Sequence, residues 1–168
     1  MRLLPSSNRR ERPPVVSEDG VSIAKKPIAV RSFFDTNLLI YADAGDEPEK
    51  QECALGLIKK HRLAGTGVVS TQVLQEYANV ALRKLGLPSP LVMARLDFYA
   101  HFDVIATTPA LISAAVELHT SRGVQFYDAL ILQAAAASGC SLLLSEDMQD
   151  GAVLNGVKIV NPFKPSGV

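Results

Sequence analysis

The chain has 168 residues, and seventeen Lys and Arg stand against seventeen Asp and Glu, so its formal net charge is zero. That length suits a single domain, since domains of about 100–150 residues are the commonest. A hydrophobic content of 48% excludes wholesale disorder. Neutrality excludes the overall basic signature of many nucleic-acid binders, while leaving room for a local patch.

The charge is unevenly placed. Residues 1–31 carry seven basic and three acidic groups, together with four of the ten prolines. From Ser32 onward there are ten basic and fourteen acidic groups. The first 31 residues are expected to form a flexible, basic extension, with a little strand near Val21–Ile23 at most. Such an extension can hold RNA or a partner electrostatically, or can have no folded role. The expected domain is 32–168. Cys53 and Cys140 lie far apart and form no CxxC pattern, which reads as reduced thiols. No apolar run approaches the roughly 20 residues of a membrane span, and the N-terminus has no signal-peptide core. A cytoplasmic protein away from membranes is the expectation.

Along the chain, Ser32–Phe34 predicts a short strand leading into Asp35. A helix is predicted over Glu47–Leu63, with Ala54, Leu57, Ile58 and His61 on one side and Gly65 as its stop. Thr66–Val69 predicts a second strand. Ser70 or Thr71 can cap a helix running to Leu85 and ending at Gly86. Ser89-Pro90 opens another helix, because proline suits the first helical position. Val104–Ala106 predicts a third strand, and Thr108-Pro109 a helix ending near Gly123. Phe126–Ser138 predicts an Ala-rich helix, followed by strands at Ser141–Leu144 and Val157–Val160. About five short strands alternating with helices imply a mostly parallel sheet covered on both faces. In such sheets ligands bind beyond the carboxyl ends of the strands.

Two carboxylates stand at those ends. Asp35 follows the first strand directly, and Asp147 lies just past the fourth, after Ser145 and Glu146. If those strands are neighbours, the two side chains share a cleft. Glu76 sits at the edge of the buried stripe of its helix. Asp128 occupies the first turn of the Ala-rich helix, where the dipole favours negative charge. Each acid also has a plain structural reading: Asp35 and Asp128 as caps, Asp147 as part of a polar turn, Glu76 as a solvated side chain. As a set, carboxylates crowded at low dielectric persist in charged form only beside cations. Hard oxygen ligands suit Mg²⁺ or Mn²⁺. His61, His101 and His119 match no zinc-ligand spacing. No GxSxG, GxxxxGK[ST] or GxGxxG motif occurs. Metal-assisted chemistry remains, in which a divalent ion lowers the pKa of a water and stabilises charge developing on a phosphodiester.

Phe33-Phe34-Asp35-Thr36-Asn37-Leu38-Leu39-Ile40-Tyr41 resembles the opening of a PIN domain. Ser70-Thr71-Gln72-Val73-Leu74-Gln75-Glu76-Tyr77, Tyr127-Asp128-Ala129-Leu130-Ile131 and Leu143-Leu144-Ser145-Glu146-Asp147-Met148 resemble its second, third and fourth acidic motifs. Val160-Asn161-Pro162-Phe163 resembles its usual ending. Order and spacing are similar to those of the VapC type, the toxins of bacterial type II toxin–antitoxin pairs. The resemblance implies a three-layer α/β/α fold and a Mg²⁺- or Mn²⁺-dependent endoribonuclease. It implies Asp35 and Asp128 as principal metal ligands and Glu76 and Asp147 as ligands directly or through water. Asn37 and Ser145 would orient ligands and water. It further implies an RNA substrate, a homodimer and a cognate antitoxin. The 31 residues before the first strand depart from the family pattern, as does the acidic body. RNA grip would then fall to Lys59, Lys60, Arg62, Arg83, Lys84 and Arg95, or to the extension. Those helix-end charges can equally be a solvated surface.

Two other readings stand beside this one. A receiver-like signalling domain also carries acids at strand ends, but needs paired acids after the first strand and a lysine after the last. Here Thr36 follows Asp35, and Asn161-Pro162 follows the last strand. A PIN-like scaffold that binds RNA or protein without cutting is the closer alternative.

Overall fold

The computed structural model describes residues 30–164. The expected strand near Val21–Ile23 and nearly all of the basic extension lie outside the described residues.

Strand β1 (Ser32–Phe34) is followed by helices α1 (Thr36–Asp43) and α2 (Pro48–Ala64), then by β2 (Gly67–Ser70). Helices α3 (Thr71–Arg83) and α4 (Ser89–Tyr99) lead to β3 (Asp103–Ile105). Helices α5 (Pro109–Arg122) and α6 (Phe126–Ala137) lead to β4 (Leu142–Leu144), and β5 (Val153–Leu154) and β6 (Val157–Val160) close the fold. The sheet order is β3-β2-β1-β4-β6-β5. Every pairing is parallel except β5 with β6. Helices cover both faces, giving three layers.

Local chemistry explains the element ends. Proline opens α2 and α5 at positions where a missing N–H costs nothing. The Ser70 hydroxyl accepts from Val73 N at 3.3 Å and so caps α3, and Thr108 caps α5 in the same way. Gly65 and Gly123 end α2 and α5 in the left-handed region, at φ 64° and 69°. The central strands are covered on both sides, so their residues are buried without alternation: Phe33, Phe34, Val68, Val69 and Leu143 are all inaccessible. Phe34 meets His61 edge-on at 5.3 Å and stacks on Phe102 at 5.7 Å.

Two elements go beyond the sequence expectation. The sheet has six strands, because Val153–Leu154 pairs with β6 through Asn155-Gly156. Both turn residues have positive φ, 50° and 79°, as an Asn-Gly hairpin turn requires. Helix α1, to which the sequence pattern assigned no element, begins directly at Thr36. Elsewhere the boundaries move by one or two residues: β3 starts at Asp103 rather than Val104, and α3 ends at Arg83 rather than Leu85. Cys53 and Cys140 are both free. No helix among the described residues is long and apolar enough to cross a membrane.

Candidate functional site

The order of strands reverses between β1 and β4. Following β1, the chain steps to β2 and β3 on one side, then crosses back to β4 on the other. A crevice opens beyond the carboxyl ends of strands at such a reversal. The β1–β4 register pairs Phe34 with Leu144, which puts Asp35 opposite Ser145. Asp35 N donates to Leu144 O at 3.0 Å and extends the ladder to the lip of the crevice.

Asp35 has two jobs there. It caps α1, accepting from Thr36 N at 2.6 Å through Oδ1. Its Oδ2 accepts from the Ser145 hydroxyl at 2.6 Å. The cap reading of Asp35 is therefore correct, and it leaves the carboxylate at the cleft. The Asn37 amide reaches Asp35 Oδ2 at 3.4 Å and Asp147 Oδ2 at 3.5 Å, standing between the two acids. On α3, Glu76 Oε2 accepts from the Thr36 hydroxyl at 2.8 Å, and its Oε1 accepts from Gln72 Nε2 at 3.0 Å. Asp128 faces the same space from the first turn of α6.

All four acids, with Asn37, Thr36, Gln72 and Asn79, line one cavity of about 330 Å³. Ile40, Val80, Ile131 and Tyr127 complete its wall. No lysine or arginine is among the lining residues. Asp35 is buried, and burial pushes its pKa up to about 6. The Ser145 and Thr36 hydrogen bonds pull it down, while Asp147 and Asp128 push it up. Burial likewise raises Asp128, helped by Asp147 and Glu76. Burial is the first cause of both shifts, and the neighbouring acids add to it with no lysine or arginine among the lining residues to oppose them.

The donor chemistry fits a hard divalent cation: carboxylate and amide oxygens around a small, negatively charged space. Among the described residues, Asn37 Oδ1 and Gln72 Oε1 are buried without hydrogen-bond partners, adding two free acceptors at the cleft. Asp35 is held by Ser145 and Thr36 N, and Glu76 by the Thr36 hydroxyl and Gln72. No three His, Cys, Asp or Glu groups among the described residues form a ready metal cage.

Thr36 and Gln72 were not singled out from the sequence, although both bond Glu76. Their signals were modest: Thr36 adjoins Asp35, and Gln72 lies one helical turn before Glu76. The basic residues proposed for RNA grip do not reach the cavity wall. Lys59, Arg62 and Arg95 instead edge an apolar groove of about 410 Å³ between α2 and α4. A larger cavity of about 490 Å³ lies between Glu47–Cys53 and Pro162-Phe163. Its Lys50 is already engaged by Glu47 and Glu146, at 2.7 and 2.8 Å.

Among solved structures, the chain resembles Mycobacterium tuberculosis VapC20, a sarcin–ricin loop cleaving toxin. The identity is 17% and the TM-score 0.56, over 69% of this chain and 89% of that one. A toxin–antitoxin complex from Klebsiella pneumoniae matches at 22% identity and TM-score 0.55, over 78% and 97%. VapBC2 from Rickettsia felis, bound to a promoter DNA fragment, matches at 18% and 0.57, over 77% and 97%. At these identities the likeness establishes a shared fold. No curated protein matches the chain significantly. The PIN domain family model matches residues 32–149, which contain the acidic cleft and the strands that build it. The chain belongs to the PIN domain family.

Proposed function

We propose that the protein is a divalent-metal-dependent endoribonuclease of the VapC type, the toxin of a toxin–antitoxin pair. The carrying observation is one cavity at the strand-order reversal that gathers Asp35, Glu76, Asp128 and Asp147 with no basic residue in its wall. The structural neighbours, a toxin and two toxin–antitoxin complexes, support the same reading.

Asp35 and Asp128 are the proposed principal ligands of Mg²⁺ or Mn²⁺, with Glu76 and Asp147 ligating directly or through water. When bound, such a cation supplies Lewis-acid chemistry that lowers the pKa of a water and offsets charge developing on the phosphodiester. The chain's own residues hold the ligands in place. Ser145 and Thr36 N fix the Asp35 carboxylate, the Asn37 amide spans Asp35 and Asp147, and Thr36 with Gln72 holds Glu76. These are the outer partners that orient first ligands and tune their basicity. An RNA substrate, a cognate antitoxin, a homodimer and action in the cytoplasm belong to the same proposal.

The test is cleavage of pooled bacterial RNA by purified, antitoxin-free protein in Mg²⁺, Mn²⁺ or EDTA, with Asp128→Asn beside the parent. Discrete fragments that need metal and vanish in the variant support the reading. Metal-independent cleavage, or equal cleavage by the variant, sinks it. A folded parent that binds Mn²⁺ and cuts no RNA turns the reading to a non-cleaving scaffold.

A further inference from the structure

Tyr127 is out of place as a core residue. It is 64% exposed, although it sits on a helix whose next five residues but one, Ala129 to Leu132, are buried. Its neighbour Phe126 packs against the core and meets the Tyr127 ring edge-on at 5.3 Å. Phe126 thereby anchors the position while Tyr127 stays outside. Exposure alone is ordinary, since Leu63 and Met93 are more exposed still.

Its location gives it a use. Tyr127 directly precedes Asp128 in the first turn of α6, and both side chains line the acidic cavity. The other apolar lining residues, Ile40, Val80 and Ile131, are aliphatic. Tyr127 is therefore the one aromatic ring beside the four acids among the described lining residues. Proteins that bind RNA usually draw affinity from Lys and Arg on phosphates. This cavity wall has none, so beyond the cation that would meet the phosphate, the Tyr127 ring is the one aromatic contact a base finds there. Aromatic rings grip unpaired bases by stacking, with little demand on sequence.

We propose that Tyr127 is a substrate-binding residue whose ring stacks on an unpaired base next to the scissile phosphate. The inference rests on the ribonuclease reading and adds to it a named residue that holds the base beside the cut. A base locked in a duplex cannot offer its face to the ring.

The test compares the full-length parent with Tyr127→Ala and Tyr127→Phe. Fluorescence anisotropy reads binding of a fluorescein-labelled, mixed-sequence 15-nucleotide RNA, either single-stranded or annealed to its complement. Cleavage of pooled RNA is followed in parallel. Stacking predicts that Tyr127→Ala loses roughly 5- to 100-fold in affinity for the single strand. Tyr127→Phe keeps parental affinity within about twofold, since it retains the ring. For the duplex, parent and Ala variant bind alike. All three proteins unfold at the same temperature, because the side chain lies outside the core. Parental binding and cutting by Tyr127→Ala overturn this inference alone. Equal losses on single strand and duplex, or a loss shared by Tyr127→Phe, overturn it too. A parent that neither binds nor cuts RNA overturns both this inference and the ribonuclease reading.

Discussion

Ser145 donates its hydroxyl to Asp35 Oδ2 at 2.6 Å, across the seam where β4 meets β1. Both residues are buried, and Ser145 is fully inaccessible. The bond therefore acts on a carboxylate that water cannot stabilise. A hydrogen bond to a charged group contributes about 1.5–3 kcal/mol, twice a neutral one or more. Ser145→Ala should cost about that much stability at pH 7.5 and clearly less at pH 4, where Asp35 is protonated in either protein. The missing bond also raises the Asp35 pKa further, so the acid limb of any pH–activity profile should move to higher pH. Urea unfolding at the two pH values and a cleavage profile check both parts. Equal losses at pH 4 and pH 7.5 would show that the serine acts only through packing.

Asp35 itself should weaken the metal-free fold. Its ordinary pKa is 3.8, and burial with the Asp147 and Asp128 charges brings it to about 6 despite the two hydrogen bonds that oppose the rise. Between those values the unfolded chain has released a proton that the folded chain keeps. Stability must fall as pH rises through that window, with the whole loss present above about pH 6. A shift of two units is worth about 3 kcal/mol. In EDTA at pH 7.5, Asp35→Asn should then be more stable than the parent by about 1–3 kcal/mol, and by nothing near pH 3.5. Mn²⁺ should restore stability to the parent and not to the variant. Denaturant melts at both pH values, with and without Mn²⁺, decide it; a variant less stable than the parent at pH 7.5 rules the account out.

The part of this site that was legible in the sequence is the part carried by strand ends. Asp35 and Asp147 stood out because a parallel sheet concentrates ligands beyond its carboxyl ends, and β1 and β4 proved to be neighbours. Glu76 and Asp128 were legible as acids on half-buried helix positions. Thr36 was not, because its role depends on α1 starting immediately after β1, which turns its hydroxyl toward α3. Three consecutive apolar residues, Leu38, Leu39 and Ile40, sit in α1 without a clear helical period. The periodic signal that identifies a helix is absent from so short an element. Strand β5 has two residues and was invisible for the same reason, although Asn155-Gly156 carried the turn signal. The placement of the basic residues was not legible, because charge on a helix end says nothing about which way the helix faces. Lys59, Arg62 and Arg95 border a different groove.

Thr36→Val separates the positioning of Glu76 from the fold. Valine keeps the shape of this buried residue and removes only the hydroxyl that donates to Glu76 Oε2. Gln72 still holds the other oxygen. Partners of this kind typically tune metal affinity by about 10- to 100-fold. Mn²⁺ affinity, read by calorimetry, should drop by roughly tenfold or more. Thermal unfolding in EDTA should change little. Unchanged Mn²⁺ affinity would remove Thr36, and with it this orientation of Glu76, from the site.

The loop that carries Asp147 is pinned one residue earlier. Glu146 accepts from the Tyr41 hydroxyl and from Lys50 Nζ, the latter at 2.8 Å, and Lys50 lies 4.5 Å from the centre of the Tyr41 ring. Burial pushes the Glu146 pKa up, but the bonds from Lys50 and Tyr41 outweigh it and leave the acid below its usual range. The Glu146 charge is thus present throughout neutral pH, and it fails only as pH falls below the ordinary carboxylate range. Salt is the stronger lever on this partly exposed pair. Asp147 is exposed and receives only the long Asn37 contact, so its position depends on the backbone of this loop. Glu146→Gln keeps an acceptor for Tyr41 and loses the negative charge that faces Lys50, whereas Glu146→Ala loses both. Amide hydrogen exchange over residues 146–149 should quicken in that order, by roughly tenfold for alanine. Cleavage should fall in parallel while the melting temperature moves by only a few degrees. If exchange quickens and cleavage holds, Asp147 contributes nothing that requires a fixed loop. The acids that matter would then be Asp35, Glu76 and Asp128, each held by a regular element.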